Sequence, residues 1–141
     1  MDIQQLIDQY HKSVDEFSRG NSQPIKILYS RRDDAFLANP FGSTVTGWSQ
    51  VSDALDFASS KFKDGEVKNF KSIAKYLSAE LAIIFEIEKW KAKVGGGEEV
   101  SAFDLRVTTT FRKEESDWKV VHRHADPIAS FNAGGPLRGD L

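Results

Sequence analysis

SAFDLRVTTTFRKEESDWKVVHRHAD, residues 101–126, reads as two long antiparallel strands joined by a short charged turn. In 101–113, Phe103, Leu105, Val107, Thr109 and Phe111 alternate with Asp104, Arg106, Thr108, Thr110 and Arg112. That is the period-two pattern of a half-buried strand. The closing strand, 118–126, is harder to orient. Its even set is Trp118, Val120, His122, His124 and Asp126, and its odd set is Lys119, Val121, Arg123 and Ala125. Neither set is cleanly apolar, so facing depends on register. If even pairs with even, Glu88, Arg106 and His122 form a charged cross-strand row on the outer face. Arg123 and Thr109 then point inward together with Phe85 and Ile87. One bulge or a different turn reverses the assignment and puts the histidines inside.

Working outward, Leu81, Ile83, Phe85 and Ile87 alternate with Ala82, Ile84, Glu86 and Glu88 in a strand over 81–94. Gly95-Gly96-Gly97 makes the hairpin turn. Residues 67–77 form another strand, with irregular alternation. Upstream the period is helical. Ile3, Leu6, Ile7, Tyr10, Val14 and Phe17 mark one apolar stripe over 2–19, with Asp2 as its cap and Gly20 as its stop. Pro24 opens a short helix over 25–30. Arg31-Arg32-Asp33-Asp34 is a solvated turn, 35–38 a short strand, and Asn39-Pro40 with Gly42 ends it. Trp48, Val51, Ala54, Leu55, Ala58 and Phe62 share one face of a third helix, 48–63, which Gly65 stops.

Helices followed by antiparallel strands make an α+β domain. The strands at 81–94 and 100–113 are longer than is usual, and long twisted strands in a small domain curve around the helices that cover them. A curved sheet closed by helices leaves a cone with an internal cavity, a natural small-molecule site. One domain spans 1–130, and the Gly- and Pro-rich residues 131–141 are a flexible tail. Composition narrows the function. Nineteen basic against 21 acidic residues leave a net charge of -2 with no basic stripe, which argues against a nucleic-acid partner. The absence of cysteine excludes thiolate catalysis and cysteine-bound zinc. No segment is apolar enough to span a membrane. The opening MDIQQLIDQY lacks a basic and apolar leader, so a cytoplasmic location is expected.

YSRRDDAFLANPFG at 29–42, GW at 47–48, LRVTTTFRKEESDWKVVHRHADP at 105–127 and the element order resemble the SnoaL-like branch of the nuclear transport factor 2-like superfamily. The resemblance covers residues 2–130. It implies a cystatin-like α+β cone of three N-terminal helices and a curved antiparallel sheet, commonly a homodimer through the outer sheet face. The superfamily includes ketosteroid isomerase, polyketide cyclases and the association domain of calcium/calmodulin-dependent protein kinase, so fold alone selects no activity. WKVVHRHAD is particularly similar to association-domain strands, and that similarity implies Arg123 inside and the histidines outside. The Asp and Tyr arrangement of ketosteroid isomerase has no residue-by-residue match here.

His122 and His124, two apart on a strand, share a face. With Asp126 they are the candidate acid–base residues near neutral pH. A metal would need a third ligand, Glu88 or Asp126, and none is supplied at ligand spacing, so neither metal nor cofactor is expected. Arg123 at the base of an apolar cavity would bind a carboxylate bidentately, or pair with Asp33, Asp34 or a carboxylate of the third helix. Thr109, Trp48, Tyr29, Phe57 and Phe85 are the other expected ligand contacts, and Glu88, Arg106 and Thr108 the expected dimer face. Arg138-Gly139-Asp140 is a chance tripeptide. Two functions stay open. One is a dimeric pocket protein for a small hydrophobic or carboxylate-bearing molecule, working as a cofactor-free isomerase, cyclase or hydrolase. The other is a non-catalytic association or ligand-sensing module.

Overall fold

The structure, a computed structural model, describes residues 1–128. Asp2 starts helix α1 (Ile3–Phe17) through a capping box: the Gln5 N–H donates to Asp2 Oδ1 (2.8 Å) and the Asp2 N–H to Gln5 Oε1 (2.9 Å). Helix α2 (Gln23–Leu28) carries Pro24 in its first turn, where a missing N–H costs nothing. Strand β1 (Phe36–Ala38) turns back into β2 (Thr44–Thr46), a second strand that the sequence pattern did not suggest. Three residues are too few to show a period, and TVT carries only its β-branched character.

Helix α3 (Trp48–Ser59) ends earlier than the spacing predicts, and strand β3 (Phe62–Leu77) begins where that helix was expected to continue. The cause is an ambiguity of phase. Phe62 lies four residues after Ala58, so helical spacing includes it in the stripe. It reaches the same core from the first position of a strand, its ring 4.7 Å from that of Trp90. Gly65 is therefore not a helix stop. It sits buried in β3, where a Cβ would collide with the Ser18 carbonyl oxygen, at the end of α1, and come within 2.8 Å of Ser18 Cβ and 2.9 Å of Ala92 Cβ. Glycine lets the end of α1 lie directly on the sheet.

Strands β4 (Leu81–Val94), β5 (Ser101–Glu114) and β6 (Asp117–Pro127) complete one sheet in the order β2-β1-β6-β5-β4-β3. Every pairing is antiparallel except β1 with β6, which is parallel, so the sheet is mixed where an antiparallel one was expected. Three register shifts in β3 and one between β5 and β6 interrupt the ladder. Bulges of this kind bend and twist a long strand. The core lies between the helices and the inner face: Leu6, Tyr10 and Val14 of α1, Val51 and Leu55 of α3, and Trp90, Val107, Phe111 and Val120 of the sheet. Among the described residues no helix is long and apolar enough to cross a membrane. The expected tail, 131–141, lies outside the described residues.

Gly65→Ala should destabilise the fold by about 1–3 kcal/mol, the usual cost of forcing an extra methyl into a packed contact. Urea unfolding checks this, and an unchanged midpoint would mean that α1 does not press on β3 as described.

Candidate functional site

The bulge between β5 and β6 decides what lines the interior. Thr110 pairs with His122 and Phe111 with Val120, so Val121 is the extra residue. Before it, Trp118 and Val120 point inward; after it, Arg123 and Ala125 do. This is why neither alternate set of β6 looked apolar: each supplies half of the buried face.

Arg123 and Thr109 both lie inside. The Arg123 guanidinium meets the carboxylate of Glu88, which is fully buried. Nη1 donates to Glu88 Oε2 (2.7 Å) and Nη2 to Glu88 Oε1 (2.9 Å), a bidentate pair. Glu88 Oε1 also accepts from Trp90 Nε1 (3.0 Å). Arg123 Nη1 further donates to the Tyr10 hydroxyl (2.6 Å), which shares a hydrogen bond with Thr109 Oγ1 (2.7 Å). Burial pushes the Tyr10 phenol up to about 12, although Arg123 draws it down. For Arg123 burial alone would favour the neutral form, but Glu88 and then Tyr10 outweigh it and hold the guanidinium above its ordinary value. A second inward carboxylate, Glu86, takes both its bonds from His11 Nε2 of α1 (2.9 Å each), and the His11 ring stacks on Phe70 at 3.9 Å.

Glu88 was expected on the outer face and is corrected here: it is interior. The even positions of β4 (Ala82, Ile84, Glu86, Glu88, Trp90 and Ala92) are the buried ones. Phe85 and Ile87, expected inside with Arg123, are half-buried on the outer face. A signal for this was present. Lys89, Lys91 and Lys93 alternate with Trp90 and Ala92 in the second half of β4, which sets the even residues inward.

Arg123 ends a narrow cleft walled by Phe17, Leu37, Phe41, Leu55, Phe62 and Trp90, with Asn39 and Pro40 at the β1–β2 turn. Its free volume is about 20 Å³, room for roughly one water. The cleft is therefore nearly filled by the side chains that wall it. Most of the expected ligand contacts lie elsewhere. Tyr29 is buried core, its hydroxyl donating to the Phe36 carbonyl (2.6 Å). Trp48 lies under the Arg31 guanidinium, 3.8 Å from its ring centre. Phe57 is 51% exposed on α3 with the Lys61 ammonium over its ring. Thr109 is fully buried and bonded to Tyr10, and neither residue lines the cleft. Asp34 forms a bidentate pair with Arg112 (2.7 and 2.9 Å), which ties the loop before β1 to β5.

His122, His124 and Asp126 stand on the opposite side of the sheet from the cleft. His122 stacks on Phe36 (5.2 Å between ring centres) and its Nδ1 shares a hydrogen bond with Thr110 Oγ1 (3.0 Å). Burial, and then the neighbouring His124, lower its pKa from 6.5. His124 Nε2 lies 2.8 Å from Asp126 Oδ2, both side chains about half exposed. Arg106 and Thr108 share this face. Among the described residues no group of three or more His, Cys, Asp or Glu could hold a metal ion.

Residues 3–130 match the model of the SnoaL-like domain, and the chain belongs to that family. A search of the curated proteins found no significant match. Similar solved structures include a nuclear transport factor 2-like superfamily protein from Salmonella enterica serovar Typhimurium, 19% identical, covering 94% of this chain and 92% of that one, with a TM-score of 0.77. A ketosteroid isomerase-like protein from Erwinia carotovora atroseptica is 15% identical over 91% of this chain and 95% of its own, TM-score 0.69. A candidate calcium/calmodulin-dependent protein kinase type II association domain from Thiobacillus denitrificans is 16% identical over 90% and 95%, TM-score 0.67. At such identities the likeness is one of fold: the α+β cone of this superfamily.

Two outcomes check the site. Glu88→Gln and Arg123→Met should each cost about 3–5 kcal/mol by stranding a buried charge, while Glu88→Gln/Arg123→Met should cost much less than the sum of the two. Additive losses in a double-mutant cycle would contradict a buried pair. The lowered His122 pKa means the fold favours the neutral ring. Its contribution is present above 6.5 and lost as pH falls through the lowered value. The melting-temperature advantage of the wild type over His122→Gln should therefore shrink between about pH 7.5 and about pH 5.5. A constant or growing advantage would refute this.

Proposed function

We propose that the chain is a homodimeric small-molecule-binding protein whose ligand enters the aromatic cleft ending on Arg123. The carrying observation is the cleft itself: it is apolar on its walls, has polar groups only at Arg123 and Asn39, and is bounded on one side by Phe41, a ring 36% exposed in the turn after β1. Ligand sites are of this composition, concave and mostly apolar with few convergent polar groups. The ligand takes the place of the Phe41 ring, since the free volume beside it admits no more than water.

The chemistry at the cleft supports binding or sensing over acid–base turnover. Both Glu88 oxygens are held by Arg123, and Tyr10 keeps its proton throughout the physiological range, so neither is poised to exchange one with a substrate. His122, His124 and Asp126 belong instead to the dimer surface, together with Arg106 and Thr108. That surface is supported by the start of β4, Leu81 to Phe85, apolar on both faces. Ile83, Phe85 and Ile87 form an outer apolar strip flanked by the exposed Tyr76 and Leu81. A strand reading apolar on both sides is one that something covers on both sides.

Light scattering at tens of micromolar should give twice the chain mass, and Phe85→Asp should give a folded monomer. A monomeric wild type would remove the dimer. A thermal-shift screen with small aromatic ligands should find hits for Phe41→Ala at lower concentrations than for the wild type. No hit for either protein would remove the pocket.

A further inference from the structure

We infer that the cleft selects an uncharged molecule bearing a carbonyl-type hydrogen-bond acceptor, anchored by Asn39, and discriminates against carboxylates. This rests on the pocket reading above and names the chemistry that the pocket takes.

The first observation concerns charge. Arg123 is the cleft's cationic group, and its two Nη atoms already bond both oxygens of Glu88. The pair is neutral as a unit. An incoming carboxylate would have to lie beside Glu88 in a low-dielectric interior, where two like charges disfavour one another strongly, or displace Glu88 and leave it buried without its partner. A neutral ligand meets neither obstacle. The guanidinium, which would draw an acid in a bare pocket, is thus a closed structural element here.

The second observation concerns an unused donor. Asn39 lines the cleft, and its Oδ1 accepts from the Phe41 N–H (2.9 Å). That bond settles which end of the amide is which, a choice that otherwise rests on the network. Its Nδ2 is the one buried side-chain nitrogen or oxygen atom with no hydrogen-bond partner among the described residues. An amide nitrogen only donates, so what completes it is an acceptor. A buried donor left unmade is costly, and a ligand that satisfies it recovers that cost as affinity. The rest of the wall is Phe17, Phe62, Trp90 and Leu55, surfaces that suit a flat or compact hydrocarbon body. The complementary molecule is small, apolar and carries one acceptor at its edge.

Three probes of one shape separate the possibilities: acetophenone with a neutral carbonyl, ethylbenzene with no acceptor, and benzoate with a charge. Each is titrated into ¹⁵N-labelled wild type and Phe41→Ala, with the Asn39 side-chain amide identified by its loss in Asn39→Ala. Acetophenone should shift that amide and bind Phe41→Ala about five-fold more tightly than ethylbenzene, the typical worth of one neutral hydrogen bond. Benzoate should bind weakest. In the Phe41→Ala background, Asn39→Asp keeps the acceptor for the Phe41 N–H and removes the donor. It should bring acetophenone down to ethylbenzene, as should Asn39→Ala. Tightest binding by benzoate would overturn the inference in favour of Arg123 as anchor, and equal binding of acetophenone and ethylbenzene would overturn Asn39 as the anchor; both leave the pocket standing. No binding of any probe to either protein would overturn the pocket itself.

Discussion

A guanidinium and a carboxylate enclosed in hydrocarbon must meet, because each alone would cost several kcal/mol to bury. Arg123 and Glu88 meet across the inner face of the sheet, and the surrounding structure is arranged around that contact. Trp90 donates to the same carboxylate, Tyr10 of α1 accepts from the guanidinium of β6, and Thr109 extends the chain of bonds from Tyr10 to β5. The three strands β4, β5 and β6 and the first helix are thereby held in one relative placement. Apolar packing supplies the driving force, and the network makes alternative registers expensive.

That placement depends on a single extra residue. Without the bulge at Val121, the inward positions of β6 would continue as the even series, His122 and His124 would enter the core, and Arg123 would face outward. With it, the histidines join a partly apolar outer surface and the arginine reaches Glu88. The two sides of the sheet thus acquire different chemistry. The inner side ends in a neutral ion pair beneath an aromatic cleft. The outer side carries Ile83, Phe85 and Ile87 with titratable histidines near them. On the function proposed above, the inner side takes a small molecule and the outer side a second copy of the chain. The His11–Glu86 contact adds a second polar tie between α1 and β4, on the same side as the cleft but away from its walls.

Membership of the SnoaL-like family fixes the architecture and leaves open the use made of its interior. In this chain the cleft is nearly filled, and Arg123, Glu88, Tyr10 and Thr109 are bonded to one another. Groups held in this way are poorly placed to move protons. The neutral character of the Arg123–Glu88 unit and the spare donor of Asn39 are the two features on which the proposed recognition rests.

The α+β class, the capped first helix, the long hairpin of β4 and β5 and the family itself were legible from residue order, because each is written in local periods and turn residues. Asp2 with Gln5, the glycine run at 95–97 and the alternation of 103–111 need no distant partner to be read. The facing of β6, the true end of α3 and the depth of Glu88 were not legible in the same way. Val121 becomes a bulge only against β5, Phe62 keeps helical phase while belonging to a strand, and Glu88 is tolerable inside only because Arg123, 35 residues away, arrives there. Asn39 and Phe41 looked like turn residues and nothing more. Their place beside Phe62 and Arg123 comes from the packing of β1 against β6. Local chemistry determined which elements form, and tertiary pairing decided which of their faces became a site, since burial of a charge is a property of two residues and not of one.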